Sequence, residues 1–272
     1  MSFIVYQGKK VYYEIHGEQE ETLLILNGIM MSSASWQAFL PMLKKHQKVV
    51  LVDFFDQGKS DYLEGAYTQE IQGQVVKELI TSINLKKVTL LGISYGGEVA
   101  MKVAIDHEHL IDRLILANTT AYTNQQLKAI GDAWVYAAQT GDGRIFFKNT
   151  IPPIYSTGFY ERNIDWLTAR EALFVKAFDE RWYQGFARLV VSAETHDERH
   201  RISQITVPTL IIGADEDLIT PLACQKELYR AIKNSRFVVI QDCGHASMYE
   251  KPTEFFGAVL GFIQTAHENF TI

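Results

Sequence analysis

Cysteine is scarce in this sequence of 272 residues, where only Cys224 and Cys243 occur. Two cysteines are too few for a framework of disulfide bonds, and their spacing does not match that of a zinc site. We therefore expect two free thiols and no bound metal. Cys243 is expected to be a small buried residue rather than a redox-sensitive thiol.

Positive charge is not in excess either. The chain carries 26 Lys and Arg residues against 32 Asp and Glu residues, which gives a formal net charge of -6. Such a chain has no basic field that could hold a phosphate backbone, so we expect no nucleic-acid partner. A small-molecule acyl substrate fits this charge better.

Long hydrophobic runs are also missing from the sequence. No apolar stretch reaches the length of about 18 residues that would indicate a membrane span. The first 17 residues, MSFIVYQGKKVYYEIHG, lack the basic and apolar segments of a signal peptide. We therefore expect a cytoplasmic protein that is a monomer or a homodimer.

Short apolar runs alternating with helical patterns are what the sequence does contain. Residues 2–6 and 9–15 predict an antiparallel hairpin with its turn at Gly8. The later runs are continuously apolar, which is typical of parallel strands covered by helices on both faces. These runs are Leu23–Leu26, Val49–Val52, Val88–Leu91, Leu114–Ala117, Leu210–Ile212 and Phe237–Ile240. The sequence therefore predicts an α/β fold with a mostly parallel, eight-stranded sheet.

One interval, residues 121–205, interrupts this alternation. It has no strand-like run, its pattern indicates several helices, and it holds three of the four tryptophans. We predict a helical cap inserted after the sixth sheet strand, with residues 1–120 and 206–272 forming the core. The aromatic side chains of the cap are expected either to pack the cap alone or to line an acyl pocket as well. The polar stretch from His196 to Arg201 predicts a solvated return linker.

The segment from Gly92 to Gly96 reads Gly-Ile-Ser-Tyr-Gly and lies between an apolar strand and a helical pattern. This G-x-S-x-G is the pattern of a nucleophile elbow, a sharp turn that exposes the serine hydroxyl at the edge of a sheet. The turn has no room for side chains at the two glycines, and Gly97 lets the helix lie close to the strand. Ser94 is therefore the candidate nucleophile.

A serine hydroxyl needs a base, usually a histidine that a carboxylate orients. Proteins with this elbow keep the chain order serine, acid, histidine, which leaves His245 and His267 as candidates. His245 follows an apolar strand directly, where catalytic groups of α/β sheets gather, whereas His267 lies beyond the last predicted helix. The loop after strand 210–212 supplies the acid: we predict Asp217, with Asp215 as the alternative.

Together these motifs resemble the α/β-hydrolase superfamily over essentially the whole chain. The segments that carry the resemblance, besides the elbow, are Leu24–Ile29, Asp53–Ser60, Asp217–Pro221 and Gly244–Pro252. The resemblance implies an oxyanion hole formed by the backbone N–H groups of Ile29 and Tyr95.

The chain departs from the family pattern at two places near this predicted oxyanion hole. Asn27 stands where the family has a histidine before Gly28, and Asp56-Gln57 replaces the usual Arg-Gly of the following loop. Neither position belongs to the candidate triad. We expect both replacements to change how the oxyanion loop is braced.

The triad and the resemblance predict a serine hydrolase that cleaves carboxylic esters of small, mostly apolar substrates through an acyl enzyme, without a cofactor. Serine rather than aspartate at position 94 argues against dehalogenase and epoxide-hydrolase chemistry. Acyl transfer is the main alternative, because Asn27–Met30 and the elbow resemble, more loosely, acyltransferases that join hydroxyacyl chains. Lactone hydrolysis, C–C bond hydrolysis and non-catalytic binding on the same fold are further alternatives.

Overall fold

The protein is built around one sheet of eight strands in the computed structural model, which describes residues 2–266. The strands are β1 (Ser2–Tyr6), β2 (Lys9–His16), β3 (Thr22–Leu26), β4 (Lys48–Val52), β5 (Val88–Ile93), β6 (Arg113–Ala117), β7 (Thr209–Ala214) and β8 (Ser235–Ile240). Their order in the sheet is β1-β2-β4-β3-β5-β6-β7-β8. The pairs β1–β2 and β2–β4 are antiparallel and the other pairs are parallel. The predicted fold class is confirmed.

Most strands are apolar because they lie between two layers of helices. β3, β5, β6 and β7 are buried at every residue, as expected for parallel strands covered on both faces. In β8 only Ile240 is buried. The expectation of burial on both faces is therefore wrong for β8, because this strand pairs with β7 alone and forms the edge of the sheet.

The helices pack on both faces of the sheet and in one insertion. They are α1 (Leu40–Leu43), α2 (Glu70–Ser82), α3 (Tyr95–Asp106), α4 (Gln125–Gln139), α5 (Gly143–Thr150), α6 (Thr157–Arg162), α7 (Ile164–Ala177), α8 (Glu180–Ser192), α9 (Leu222–Ala231), α10 (Ser247–Glu250) and α11 (Pro252–Thr265). On one face α2, α3 and α9 contribute Val76, Val99 and Leu228 to a single apolar cluster. On the other face α1 and α11 contribute Leu43 and Phe255. These two clusters hold in place the strands whose ends carry the candidate active site.

Helices α4 to α8 lie between β6 and β7, in the interval where the sequence predicts a cap. They enclose a third apolar cluster that is rich in aromatic side chains, including Phe146 and Phe186. The two ends of the interval meet where Tyr122 pairs with Asp197 in an isolated β-bridge. The division of the chain into a core and a cap stays a prediction, and we call residues 121–205 the helical insertion.

The segment from His196 to Arg201 is partly buried. The Glu198 side chain is only 3% exposed and accepts a hydrogen bond from Lys102 of α3 at 2.7 Å. His196 is buried too, its Nε2 lies 3.0 Å from the Thr120 carbonyl oxygen, and burial lowers its pKa to about 4. The prediction of a solvated linker is therefore wrong for His196 and Glu198, whereas Asp197, Arg199 and His200 are exposed as expected. Glu198 can be buried because the opposite charge of Lys102 is buried with it.

Candidate active site

Ser94 lies in the sharp turn that joins β5 to α3. Its backbone angles, φ 53° and ψ -120°, fall outside the regions that residues with side chains usually adopt. The neighbouring glycines allow close packing: a Cβ atom on Gly97 would lie 2.6 Å from the Cβ of Thr119, and one on Gly92 would lie 2.6 Å from the Cα of Gly97. The strained strand-to-helix turn predicted from G-x-S-x-G is therefore present, with Ser94 at the carboxyl edge of the sheet.

His245 follows β8 on a loop at the same edge of the sheet. Its Nε2 lies 2.9 Å from Ser94 Oγ, and its Nδ1 lies 2.8 Å from Asp217 Oδ2. The histidine is 8% exposed, so bulk water has little access to these contacts. The three side chains predicted from the sequence come from three separate loops and form one hydrogen-bonded chain.

The Asp217 carboxylate is buried and held by several donors. The backbone N–H groups of Ile219 and Thr220 donate to its Oδ1, each at 2.9 Å, and the Thr220 hydroxyl donates to its Oδ2 at 3.0 Å. Burial is the largest single influence and would raise the pKa of Asp217. The charge of His245 and the hydrogen bonds outweigh burial, so the pKa is lowered. Asp217 is therefore an anion beside the imidazole at neutral pH.

Asp215, the alternative acid, occupies a different environment. Its side chain is exposed, and its carboxylate accepts a hydrogen bond from the Cys243 N–H at 3.3 Å. Within residues 2–266 it makes no hydrogen bond to His245. The geometry thus favours Asp217 as the partner of the imidazole. His267, the other candidate base, lies outside the described residues.

Asn118 and Ser247 complete the surroundings of Asp217, and the sequence analysis missed both. Asn118 Nδ2 donates to Asp217 Oδ2 at 3.0 Å, and Asn118 Oδ1 accepts a hydrogen bond from the Ser247 hydroxyl at 2.6 Å. Asn118 follows β6 directly, at the carboxyl end of a buried parallel strand. A hydrogen-bonding side chain directly after such a strand is the signal that could have found it.

The backbone N–H groups of Ile29 and Tyr95 are the predicted oxyanion donors. Tyr95 is the first residue of α3, where helical N–H groups have no partner within the helix. In the described part of the chain, neither N–H donates to another protein atom. Ile29 and Tyr95 line the same cavity as Ser94. Both amides are therefore available to an acceptor atom near the Ser94 hydroxyl.

The two departures from the family pattern brace this loop. Gln57 Nε2 donates to the carbonyl oxygens of Gly28 at 2.9 Å and of Ile29 at 3.3 Å. Asn27 Nδ2 lies 3.4 Å from Gln57 Oε1, and its Oδ1 accepts a hydrogen bond from the Trp36 indole N–H at 2.8 Å. The loop is thus fixed by side-chain amides where the family has histidine and Arg-Gly.

The loop that carries His245 is also tied to the helical insertion. The Ile154 carbonyl oxygen accepts the N–H groups of His245 at 2.8 Å and of Ala246 at 3.3 Å. Glu250 Oε1 accepts the N–H groups of Gly244 at 3.0 Å and of Ser156 at 3.1 Å. The position of the imidazole therefore depends on the insertion as well as on the sheet.

A model of the α/β-hydrolase fold family matches residues 21–252. The chain belongs to the α/β-hydrolase family. A crystal structure of MGS-M2, an α/β-hydrolase enzyme from a Medee basin deep-sea metagenome library, is 41% identical to this hydrolase, covers 100% of both chains and has a TM-score of 0.97. The resemblance inferred from the motifs is confirmed.

Two enzymes with more specific names are also similar to this hydrolase. The 3-oxoadipate enol-lactonase 1 of Acinetobacter baylyi is 27% identical, and the match covers 95% of each chain. The 2-hydroxy-6-oxo-6-(2'-aminophenyl)hexa-2,4-dienoic acid hydrolase of Metapseudomonas resinovorans is 26% identical, and the match covers 96% of this chain and 90% of that enzyme. Both relatives are similar over nearly the full length of the hydrolase.

Two cavities of the hydrolase reach Ser94, and we name them after one wall residue of each. The Glu98 cavity, about 60 Å³, lies over α3 and is bordered by apolar side chains such as Leu127. The Arg170 cavity, about 100 Å³, is bordered by Tyr155, Phe174 and other aromatic and aliphatic groups. A cavity of about 150 Å³ holds a benzene-sized molecule, so these cavities suit short substrate groups.

The tryptophans of the insertion differ in their relation to these cavities. Trp134 lines both of them. Trp182 lines a neighbouring pocket that shares Arg170 and Phe174 with the Arg170 cavity, and it stacks on Phe178 with 3.6 Å between the ring centroids. Trp166 lies against Tyr155, with ring centroids 5.9 Å apart, and lines neither Ser94 cavity. Of these three rings, Trp134 alone borders the Ser94 cavities.

Glu98 is a buried carboxyl group in the wall of the Glu98 cavity that the sequence analysis missed. It lies one turn after Ser94 on α3 and is 5% exposed. Burial raises the pKa of Glu98 to about 8, although a hydrogen bond from Gln69 and the charge of Lys102 act in the opposite direction. Glu98 is therefore mostly protonated at pH 7 and adds little charge to the cavity.

Cys243 is buried, and burial raises the pKa of its thiol, in agreement with a packing role. Among residues 2–266, no group of three His, Cys, Asp or Glu side chains is placed to hold a metal ion. In the same part of the chain, no helix has the length and apolar character needed to cross a membrane.

Proposed function

We propose that this α/β-hydrolase cleaves carboxylic esters of small substrates, with Ser94 as nucleophile, His245 as general base and Asp217 as the orienting acid. One observation carries the proposal. The Ser94 hydroxyl, the His245 imidazole and the Asp217 carboxylate form a continuous chain of contacts of 2.9 and 2.8 Å. A hydroxyl within hydrogen-bond reach of a base, which a third group orients, is the general arrangement of an activated nucleophile.

The first half of the reaction forms an acyl enzyme. Ser94 Oγ attacks the ester carbonyl carbon while its proton passes to His245 Nε2. The carbonyl oxygen becomes an oxyanion, which accepts hydrogen bonds from the Ile29 and Tyr95 amides. His245 then gives its proton to the alcohol oxygen as the C–O bond breaks, and the alcohol leaves.

The second half releases the acid. A water molecule loses a proton to His245 Nε2 and attacks the acyl carbon, and Ser94 Oγ leaves with that proton. Through both halves, Asp217 accepts the hydrogen bond from Nδ1, fixes the imidazole tautomer and stabilises the imidazolium form. The lowered pKa of Asp217 keeps it anionic for this role. The reaction needs no cofactor, because His245 carries each proton and the backbone amides stabilise the oxyanion.

Lactone hydrolysis is a second candidate, favoured by the similarity to an enol-lactonase at 27% identity over 95% of both chains. A lactone is a cyclic ester, so the same steps apply except that the leaving alcohol stays attached to the acyl group. The small volumes of the two Ser94 cavities, about 60 and 100 Å³, suit compact rings and short chains.

A panel of p-nitrophenyl esters of increasing acyl length, together with simple lactones, tests the proposal. Assays run with and without a hydroxy-acid acceptor separate hydrolysis from acyl transfer. A hydrolase gives the same yield of free acid in both, whereas a transferase diverts acyl groups into a new ester. An active-site phosphonate should add mass at Ser94 alone, and a protein that neither turns over esters or lactones nor reacts with the phosphonate would contradict the proposal.

A further inference from the structure

Arg170 is a charged residue in a cavity wall that the proposed reaction does not use. It lies on α7 and borders the Arg170 cavity together with Ser94 and His245. In the described part of the chain, no carboxylate lies within 4.0 Å of its guanidinium group to form an ion pair. The same part of the chain offers no hydrogen-bond acceptor to its N–H groups. Asp and Glu are also missing from the walls of this cavity.

Aromatic rings hold the guanidinium group in place. Its central carbon lies 4.7 Å from the ring centroid of Trp166 and 5.8 Å from that of Tyr249. An aromatic ring attracts the flat face of a guanidinium group. The N–H groups at the edge of the guanidinium then remain unoccupied. Arg170 is therefore positioned by stacking, and its hydrogen-bonding edge remains available.

Two other arginines that follow α7 in the chain have acidic partners. Arg188 pairs with Asp56 through two contacts, at 2.6 and 3.1 Å, and Arg201 pairs with Glu198 at 2.8 Å. A half-buried cation without a partner is costly, because it loses hydration and gains no compensating contact. Arg170 differs from these two arginines because it lines the cavity that also holds Ser94 and His245.

We propose that Arg170 binds a carboxylate carried by the substrate, so that the preferred substrates are short monoesters of dicarboxylic acids or lactones that bear a carboxylate. This inference rests on the proposed ester hydrolysis at Ser94. The planar guanidinium edge matches a carboxylate with two parallel hydrogen bonds. The cavity volume of about 100 Å³ limits the spacer between this carboxylate and the scissile carbonyl to a few carbons.

Paired substrates and matched variants test the proposal. The substrates are the mono-p-nitrophenyl ester of glutaric acid, which carries a carboxylate, and p-nitrophenyl butyrate, which does not. The variants are Arg170→Met, Arg170→Lys and the control Arg181→Met. Arg181 also stacks on an aromatic ring, 4.5 Å from the Tyr62 centroid, but it lines neither Ser94 cavity.

The readout is the ratio of kcat/KM for the anionic ester to kcat/KM for the neutral ester. Arg170→Met should lower this ratio roughly 10- to 100-fold, the range expected for losing a charged hydrogen-bonded pair. Arg170→Lys should lower the ratio less, because the charge is kept and only the two parallel N–H donors of the guanidinium are lost. Arg181→Met should leave the ratio unchanged. An equal ratio in Arg170→Met and the natural protein would overturn the proposal.

A binding measurement separates this inference from the proposed reaction. Glutarate itself should bind the natural protein and bind Arg170→Met at least tenfold more weakly by calorimetry, whether or not Ser94 is the nucleophile. If neither ester turns over but glutarate binding depends on Arg170, the reaction assignment fails and the carboxylate site stands. If esters turn over at Ser94 but glutarate binds both proteins equally, the carboxylate site fails alone.

Discussion

The core and the helical insertion contribute opposite kinds of surface to the site of this hydrolase. On the core side, Asp217 and Asn118 have hydrogen-bond partners on both of their polar side-chain atoms. On the insertion side, Trp134 and Phe174 present apolar surface, and Arg170 has no acceptor within residues 2–266. Buried polar networks lose much stability and function when one member is removed, whereas an apolar wall tolerates changes of shape. Under the proposed function, we therefore expect the core to carry the reaction chemistry and the insertion to select the substrate.

The largest effect is expected on the core side, at the proposed nucleophile. Ser94→Ala removes the attacking oxygen, so turnover of a p-nitrophenyl ester should fall by roughly 10⁶-fold, a loss typical of triad serines. The fold should persist, because the sharp turn depends on glycines rather than on the hydroxyl. Circular dichroism with thermal unfolding checks this point.

The control for this variant is Ser82→Ala, at an exposed serine of α2, which should keep full activity. Phosphonate labelling provides the second check. If Ser94→Ala took up as much phosphonate as the natural protein, the nucleophile would be another residue.

The next largest effect separates two carboxylates of one core loop. Asp217→Asn keeps the size of the side chain but removes the charge that orients His245, so kcat should fall by roughly 10⁴-fold. Asp215→Asn is the matched control and should change kcat little, since Asp215 is exposed and contacts the Cys243 N–H. Steady-state kinetics of both variants test this assignment. A larger loss of kcat in Asp215→Asn than in Asp217→Asn would assign the acid to Asp215.

A smaller effect is expected on the insertion side. Trp134 lines both Ser94 cavities, so Trp134→Ala should merge them and shift the best acyl chain to a longer one. Each added methylene that is buried contributes about 0.8 kcal/mol, or roughly fourfold in kcat/KM. Trp182→Ala is the control, because that ring stacks on Phe178 and lines neither Ser94 cavity. Equal shifts in both variants, measured with the ester panel, would mean that general packing of the insertion sets the preference.

The smallest effect concerns stability and its dependence on pH. The pKa of Glu98 is raised from 4.5 to about 8, so between these values the folded state keeps a proton that the unfolded state has lost. Stability contributed by this proton is therefore lost as pH rises through that window. Glu98→Gln, which cannot ionise, should gain several degrees in Tm over the natural protein between pH 5 and pH 8 and little more above.

Thermal unfolding from pH 5 to pH 9 provides the measurement for Glu98→Gln. Glu194→Gln is the control, because Glu194 borders the same cavity but is half-buried. Its Tm difference from the natural protein should not widen with pH. A Tm difference for Glu98→Gln that stays constant from pH 5 to pH 9 would show that Glu98 is ionised throughout.

The sheet and the three main site residues could be predicted because each has a local signal. Continuous apolar runs gave the strands within one or two residues for most of the sheet, and the motif around Ser94 specifies its own turn. Asp217 and His245 could be placed because they follow apolar strands, whose ends meet at one edge of a parallel sheet. The pattern of apolar residues and the order of the motifs along the chain were sufficient for these predictions.

The remaining site residues could not be predicted because their roles depend on contacts between distant segments. Asn118 meets Asp217 across 99 positions of the chain, and Glu98 becomes a neutral acid only when the surrounding helices bury it. His196 and Glu198 look like members of a solvated charge run until Lys102 of α3 is placed beside Glu198. A local sequence pattern does not show which oppositely charged residue the fold brings close to a given side chain.

The attachment of the His245 loop to Ile154 has a consequence for engineering and evolution. If the insertion were a separable module, it could be exchanged between related enzymes by grafting at its two ends, near Tyr122 and Asp197. Here a foreign insertion would also have to present a carbonyl oxygen to the N–H groups of His245 and Ala246. A chimera that changes residues 152–156 without adapting the loop 244–246 would gain a new cavity wall but misplace the His245 imidazole. The two segments therefore have to be transplanted as one unit.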